Sequence, residues 1–159
     1  MKGLTRAIHV LDRLVEWIGA YLMVVMVIIV TWQVFSRYVL NASPSWSDET
    51  VLMLMTWFGF LSIVIGFRRR EHLAISLLVT HLPLRVQWFV EKVVDVLVIG
   101  FGVLLLVEGY RFTVMTWKAV MPVTQMPQGL QYIVIPITGL LTIIYGFMWL
   151  FGVQEVTKQ

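Results

Sequence analysis

The chain has 159 residues, 59% of them hydrophobic and 13% charged, with no cysteine and a formal charge of +3, and its mean hydropathy is +0.86. A water-soluble fold of this size cannot hide so much apolar surface, and the absence of cysteine excludes disulfides and thiolate metal sites. The small excess of twelve Lys and Arg over nine acids is what the cytoplasmic flanks of a membrane protein need, and does not indicate nucleic-acid binding. At about 20 residues per crossing, the length holds about four crossings and no separate soluble domain, so 1–159 reads as a single all-α integral membrane domain.

In the first thirteen residues, Leu4, Ile8 and Leu11, continued by Val15, recur at helical spacing with Lys2, Arg6, His9 and Asp12 between them. This predicts an amphipathic helix lying in the membrane interface over 1–13. The first crossing is expected over 14–35, interrupted only by Glu16, Thr31 and Gln33. Its apolar core is too long for a signal peptide, and no small-x-small site closes it, so it reads as a retained helix. The second crossing, 49–68, is bracketed by Glu49 and Arg68, roughly 28 Å apart at about 1.5 Å per helical residue.

Between the second and third crossings, Leu73, Ile75, Leu77 and Leu78 precede Pro83, then Val86, Trp88 and Phe89. A loop this apolar is expected to form short interfacial helices over 73–90, with Trp88 in the aromatic belt. The third crossing, 92–115, carries Lys92 with Asp95 and Glu108 with Arg111 at i, i+3 spacing. Each acid can be neutralised by its neighbour while the basic side chain snorkels, which favours a structural over an ion-binding role. Pro122 and Pro127 break the segment Trp117 to Gln131, where Met121, Val123 and Met126 predict packing. The fourth crossing is expected over 132–152, with Pro136 in its first turn.

Nine basic residues (Lys2, Arg6, Arg13, Arg68, Arg69, Arg70, Arg85, Lys92 and Lys158) fall on one side, against Arg37, Arg111 and Lys118 on the other. The positive-inside rule then places both termini in the cytoplasm. Three glycine pairs, Gly59 with Gly66, Gly102 with Gly109 and Gly139 with Gly146, are each spaced by about two turns and lie on single helix faces. They fit close helix approach, within the fold or against a partner, or simply the frequency of glycine in membrane helices.

His9, His72 and His81 all lie outside the spans, which counts against a haem-bearing redox anchor, and no metal-ligand spacing or nucleophile–base pair is present. The helix middles read as Val, Leu, Ile, Met, Phe and Gly, with Trp32 and Trp57 as packing residues. A chain that transports by itself usually needs polar groups there. The expectation is therefore an accessory membrane subunit, not an enzyme. The alternative is an independent small oligomeric transporter using Asp95, Glu108 or Glu16 as an ion site.

One segment is more specific: Phe35-Ser36-Arg37-Tyr38-Val39-Leu40-Asn41, then Pro44-Ser45-Trp46-Ser47-Asp48-Glu49. Ser47, Asp48 and Glu49 suit a helix N-terminus, and Arg37 is expected to pair with Glu49, tying the first crossing to the second. This pattern resembles the small membrane subunit of tripartite ATP-independent periplasmic (TRAP) transporters, the DctQ-like family. Arg68-Arg69-Arg70-Glu71-His72-Leu73 resembles that family's basic stretch, and Met126-Pro127 with Ile135-Pro136 its last outer loop and fourth helix.

The resemblance implies a bacterial inner-membrane protein without a cofactor of its own, in stable complex with a large membrane subunit that carries the organic-acid and sodium sites. A soluble periplasmic binding protein would dock transiently. Substrate contacts would then lie in the other subunits. Candidate partner contacts are Trp46, Asp48, Trp57, Arg69, His72, Met126 and Pro127, while Arg68, Arg70, Trp88, Lys92 and Arg111 are candidate membrane anchors.

Overall fold

The computed structural model describes residues 2–42, 44–68 and 84–150. They form α1 (Lys2–Val39), α2 (Ser45–Arg68), α3 (Leu84–Thr116), a short α4 (Gly129–Tyr132) and α5 (Val134–Leu150). Among these residues four stretches are long and apolar enough to cross a membrane: Asp12–Val39, Ser45–Phe67, Lys92–Thr116 and Gly129–Trp149. The regular secondary structure of the described residues is thus helical, with four candidate spans. Helices dominate because each satisfies its own backbone hydrogen bonds, which hydrocarbon cannot do.

The boundaries have local causes. Residues 2–13, expected as a separate interfacial helix, run into the first span as one unbroken helix of 38 residues. No proline or glycine pair interrupts that join. The helix ends where Asn41 adopts a left-handed φ of 49°, which lets the Ala42 N–H reach back to the Ser36 carbonyl at 3.1 Å. Asn tolerates this conformation better than most residues.

α2 begins at Ser45, just after Pro44, which places Asp48 in the first turn. Ser47 donates to the Pro44 carbonyl through both its hydroxyl (2.6 Å) and its N–H (3.1 Å). α3 begins at Leu84 and so takes in the end of the segment expected to be interfacial; residues 69–83 lie outside the described residues. The fourth span starts at Gly129, earlier than Tyr132, and is broken at Ile133 between α4 and α5. Pro136 explains the break, since its ring excludes the carbonyl four residues earlier, that of Tyr132, and it has no N–H to offer.

Contacts divide the chain into two compact units, Met1–Ser62 with Arg111–Val134, and Ile63–Tyr110 with Ile135–Gln159. In the first, Val15, Leu61, Met121 and Val134 are buried. The start of α4 packs against the end of α3: a Cβ on Gly129 would lie 2.5 Å from Trp117 Cε3 and 2.9 Å from the Thr113 carbonyl. The Phe112 and Tyr132 rings meet edge to face at 4.7 Å between centroids.

In the second unit, α3 and α5 touch backbone to backbone. A Cβ on Gly139 would lie 2.5 Å from Leu106 N and 2.8 Å from Gly102 O, one on Gly109 3.0 Å from Pro136 N, and one on Gly146 2.5 Å from Ile99 Cγ1. Two of the three glycine pairs therefore form a close-packed helix seam, the arrangement small residues permit in membranes. The third pair, Gly59 and Gly66 on α2, meets nothing within 4 Å.

Candidate functional site

One polar side chain of α2, Glu49, reaches into the segment 117–128. This segment is a small hairpin-like loop in which Met121 N–H donates to Met126 O and Gln128 N–H to Ala119 O, each at 2.8 Å. Val120 and Pro127 form an isolated antiparallel bridge, and Gln125 turns the chain with φ of 55°. Outside any helix, this proline-containing loop has backbone groups in need of partners.

Glu49 supplies some of them. Its Oε1 accepts from Val123 N–H, and its Oε2 from both the N–H and the hydroxyl of Thr124, all at 2.8 Å. Sequence reasoning assigned Glu49 to Arg37. The contacts the structure gives its carboxylate lead to a loop more than 70 residues away. Nothing in the local sequence signals that partner, beyond the expectation that the Met-rich loop packs. Of the three residues expected to pack, Met121 is buried whereas Val123 and Met126 are exposed, and Thr124 Oγ1 lies 3.5 Å from the Met121 sulfur.

Other candidates are drawn into the same scaffold. Asp48 accepts a hydrogen bond from Gln33 Nε2, joining α2 to α1. Trp57 Nε1 donates to the Leu130 carbonyl at 3.2 Å, and Gln131 Nε2 to Thr56 Oγ1 at 3.2 Å, so α2 is tied to α4. Trp57 is therefore half-buried and engaged inside the fold. Arg37 sits exposed in the last turn of α1. Trp46 and Met126 are exposed, and Pro127 is partly buried in the loop bridge.

In the second unit, Lys92 Nζ lies 3.7 Å from Asp95 Oδ2, the pairing expected from their spacing. Asp95 is buried while Lys92 is partly exposed, as a snorkelling partner requires. Glu108 and Arg111 are both exposed on α3. Arg69, Arg70 and His72 lie outside the described residues, as do the side chains of Arg68 and Trp88.

The middle of the last span is not purely apolar. Thr138 and Thr142, near the centre of Gly129–Trp149, are fully buried, and Tyr145 follows on the same side. The hydropathy of their neighbours hid them from a reading of apolar runs. Among the described residues no group of three or more His, Cys, Asp or Glu is placed to hold a metal ion. The arrangement holds helices and a loop in place.

Residues 26–155 match the family model described as "Tripartite ATP-independent periplasmic transporters, DctQ component". A putative TRAP transporter small permease protein of Haemophilus influenzae (strain ATCC 51907 / DSM 11121 / KW20 / Rd) is 26% identical over 84% of this chain and 83% of its own length. The sialic acid TRAP transporter permease protein SiaT of Haemophilus influenzae (strain 86-028NP) is 31% identical over 55% of this chain. The isethionate TRAP transporter permease protein DctMQ of Oleidesulfovibrio alaskensis is 24% identical over 86% of it. This chain spans only 14% and 22% of the length of those last two proteins. All three are transport components by name, not enzymes. With four candidate spans and a family match over most of its length, the chain belongs to the DctQ component family of TRAP transporters as a small, multi-pass membrane permease subunit.

Proposed function

We propose that this subunit packs on a large membrane subunit and supports it while that partner imports an organic acid, coupled to sodium and supplied by a periplasmic binding protein. The supporting observation is the division of polar groups. The described acids and bases of the spans lie toward helix ends, where Lys92 neutralises Asp95 and Glu49 is committed to a loop. Such a chain offers structure to a transporter. The two longer relatives, in which the matching region is a minor part of a larger permease, agree with a large partner. One of those relatives is named for sialic acid and the other for isethionate, so an acidic substrate is the class we propose for the complex.

Co-expression with the large subunit tests the proposal. The two should co-purify, and uptake in cells should need both. Transport by this chain alone in liposomes would instead establish the independent-transporter reading. For the inner-membrane placement with both termini inside, the lack of native cysteine allows single-cysteine labelling. Gln125→Cys should react with a membrane-impermeant reagent in intact cells, and Gln159→Cys only after lysis. We further propose that Arg37 faces the Glu49 charge across the α1–α2 connection. A charge exchange that recovers nothing lost in the two single changes removes that pairing.

A further inference from the structure

Hydroxyls on these helices commonly bond back to the carbonyl one turn earlier. Thr31 reaches Val27, Thr50 reaches Trp46, Thr56 reaches Leu52 and Thr116 reaches Phe112, each at 2.8 Å, and Ser62 reaches Phe58 at 2.7 Å. Thr138 and Thr142 depart from this pattern. Both have 0% exposure, and the Oγ1 of each meets no hydrogen-bond partner among the described residues.

A buried hydroxyl without a partner carries its full desolvation penalty, and in hydrocarbon no solvent relieves it. With no exposed surface at either residue, lipid cannot reach the hydroxyls from outside. The two residues stand one turn apart on the same face of α5, where β carbons are about 5–6 Å apart. Hydroxyls on adjacent turns of one face can come within reach of a single water, each bond needing an O···O distance of about 2.7–2.8 Å. Buried waters in proteins characteristically serve such otherwise unsatisfied groups.

We propose that Thr138 and Thr142 together bind one structural water in the centre of the last span. The water satisfies both hydroxyls at once and fixes their rotamers beside the Gly139 contact with α3. This site stands on the chain's own geometry and does not depend on the transport role.

Thermal unfolding of the full chain in detergent tests it with the isosteric changes Thr138→Val, Thr142→Val and both together. Each single change should lower the unfolding midpoint by a few degrees, because it leaves the other hydroxyl and the water short of a bond. The double change should recover toward the unsubstituted chain, because no polar group then remains to be satisfied. Single changes without effect, or effects that simply add, would overturn the proposal in favour of hydroxyls bonded back to α5. Should a variant fail to fold, a high-resolution density map of the unsubstituted protein decides. A water peak within hydrogen-bond distance of both Oγ1 atoms is expected, and a clear map without one refutes the site.

Discussion

The α3–α5 seam and the 117–128 loop are held by opposite means. In the seam, Gly102, Gly109, Gly139 and Gly146 bring helix backbones or core side chains together with no room for a Cβ. The loop is held by side chains reaching across sequence: Glu49 to Val123 and Thr124, with Trp57 to Leu130 and Gln131 to Thr56 beside it. Each solution follows from its backbone. Helices in hydrocarbon arrive with their hydrogen bonds made and need only shape, whereas a proline-broken loop has open donors and needs acceptors.

Adding one methyl group to the seam should do the most damage. In Gly139→Ala the new Cβ would meet Leu106 N and Gly102 O, backbone atoms that cannot rotate away. Overpacking of this kind costs about 1–3 kcal/mol or more. The expected outcome is a markedly lower unfolding midpoint in detergent, with Gly102→Ala milder because its nearest neighbour is the Ile143 side chain. A Gly139→Ala chain as stable as the original would show that the seam yields.

The loop should respond locally. Glu49→Gln keeps one acceptor oxygen but loses the charge and the second oxygen, so Val123 and Thr124 lose protection. Amide hydrogen exchange should accelerate at residues 121 and 123–125 and stay unchanged along α3 and α5. Exchange that rises across the whole chain would mean that Glu49 holds more than its loop. Trp57→Phe removes the hydrogen bond to the Leu130 carbonyl together with part of the indole's packing. It should cost at least about 0.5–1.5 kcal/mol in a thermal or denaturant titration.

The spans were legible because an apolar run of bilayer length between charges has few other uses. The second span, expected from Glu49 to Arg68, is observed over Ser45–Phe67. The helix start itself, at Ser45 just after Pro44, lies within two residues of the Ser47-Asp48-Glu49 signal in the sequence. The Lys92–Asp95 pair was legible because helix geometry alone brings i and i+3 together. Glu49's loop partners were not, since no local rule relates residues more than 70 apart. Thr138 and Thr142 were obscured for a different reason: averaged hydropathy reports the mean of a segment and conceals two hydroxyls among isoleucines and leucines.

Glycine spacing gives the finest test of the comparison. All three pairs repeat at about two turns, which fixes the face of each helix but says nothing about what lies opposite. Gly59 and Gly66 have nothing within 4 Å, unlike the seam glycines. Gly59→Ala and Gly66→Ala should therefore be tolerated in the isolated chain, and even gain about 0.5–1 kcal/mol each by restricting the unfolded backbone. The unfolding midpoint should stay level or rise slightly, against the fall in Gly139→Ala. If all the glycine-to-alanine changes instead cost alike, packing against neighbours would not be what distinguishes the seam. A local backbone requirement common to these glycines would then explain the pattern better than the contacts between α3 and α5.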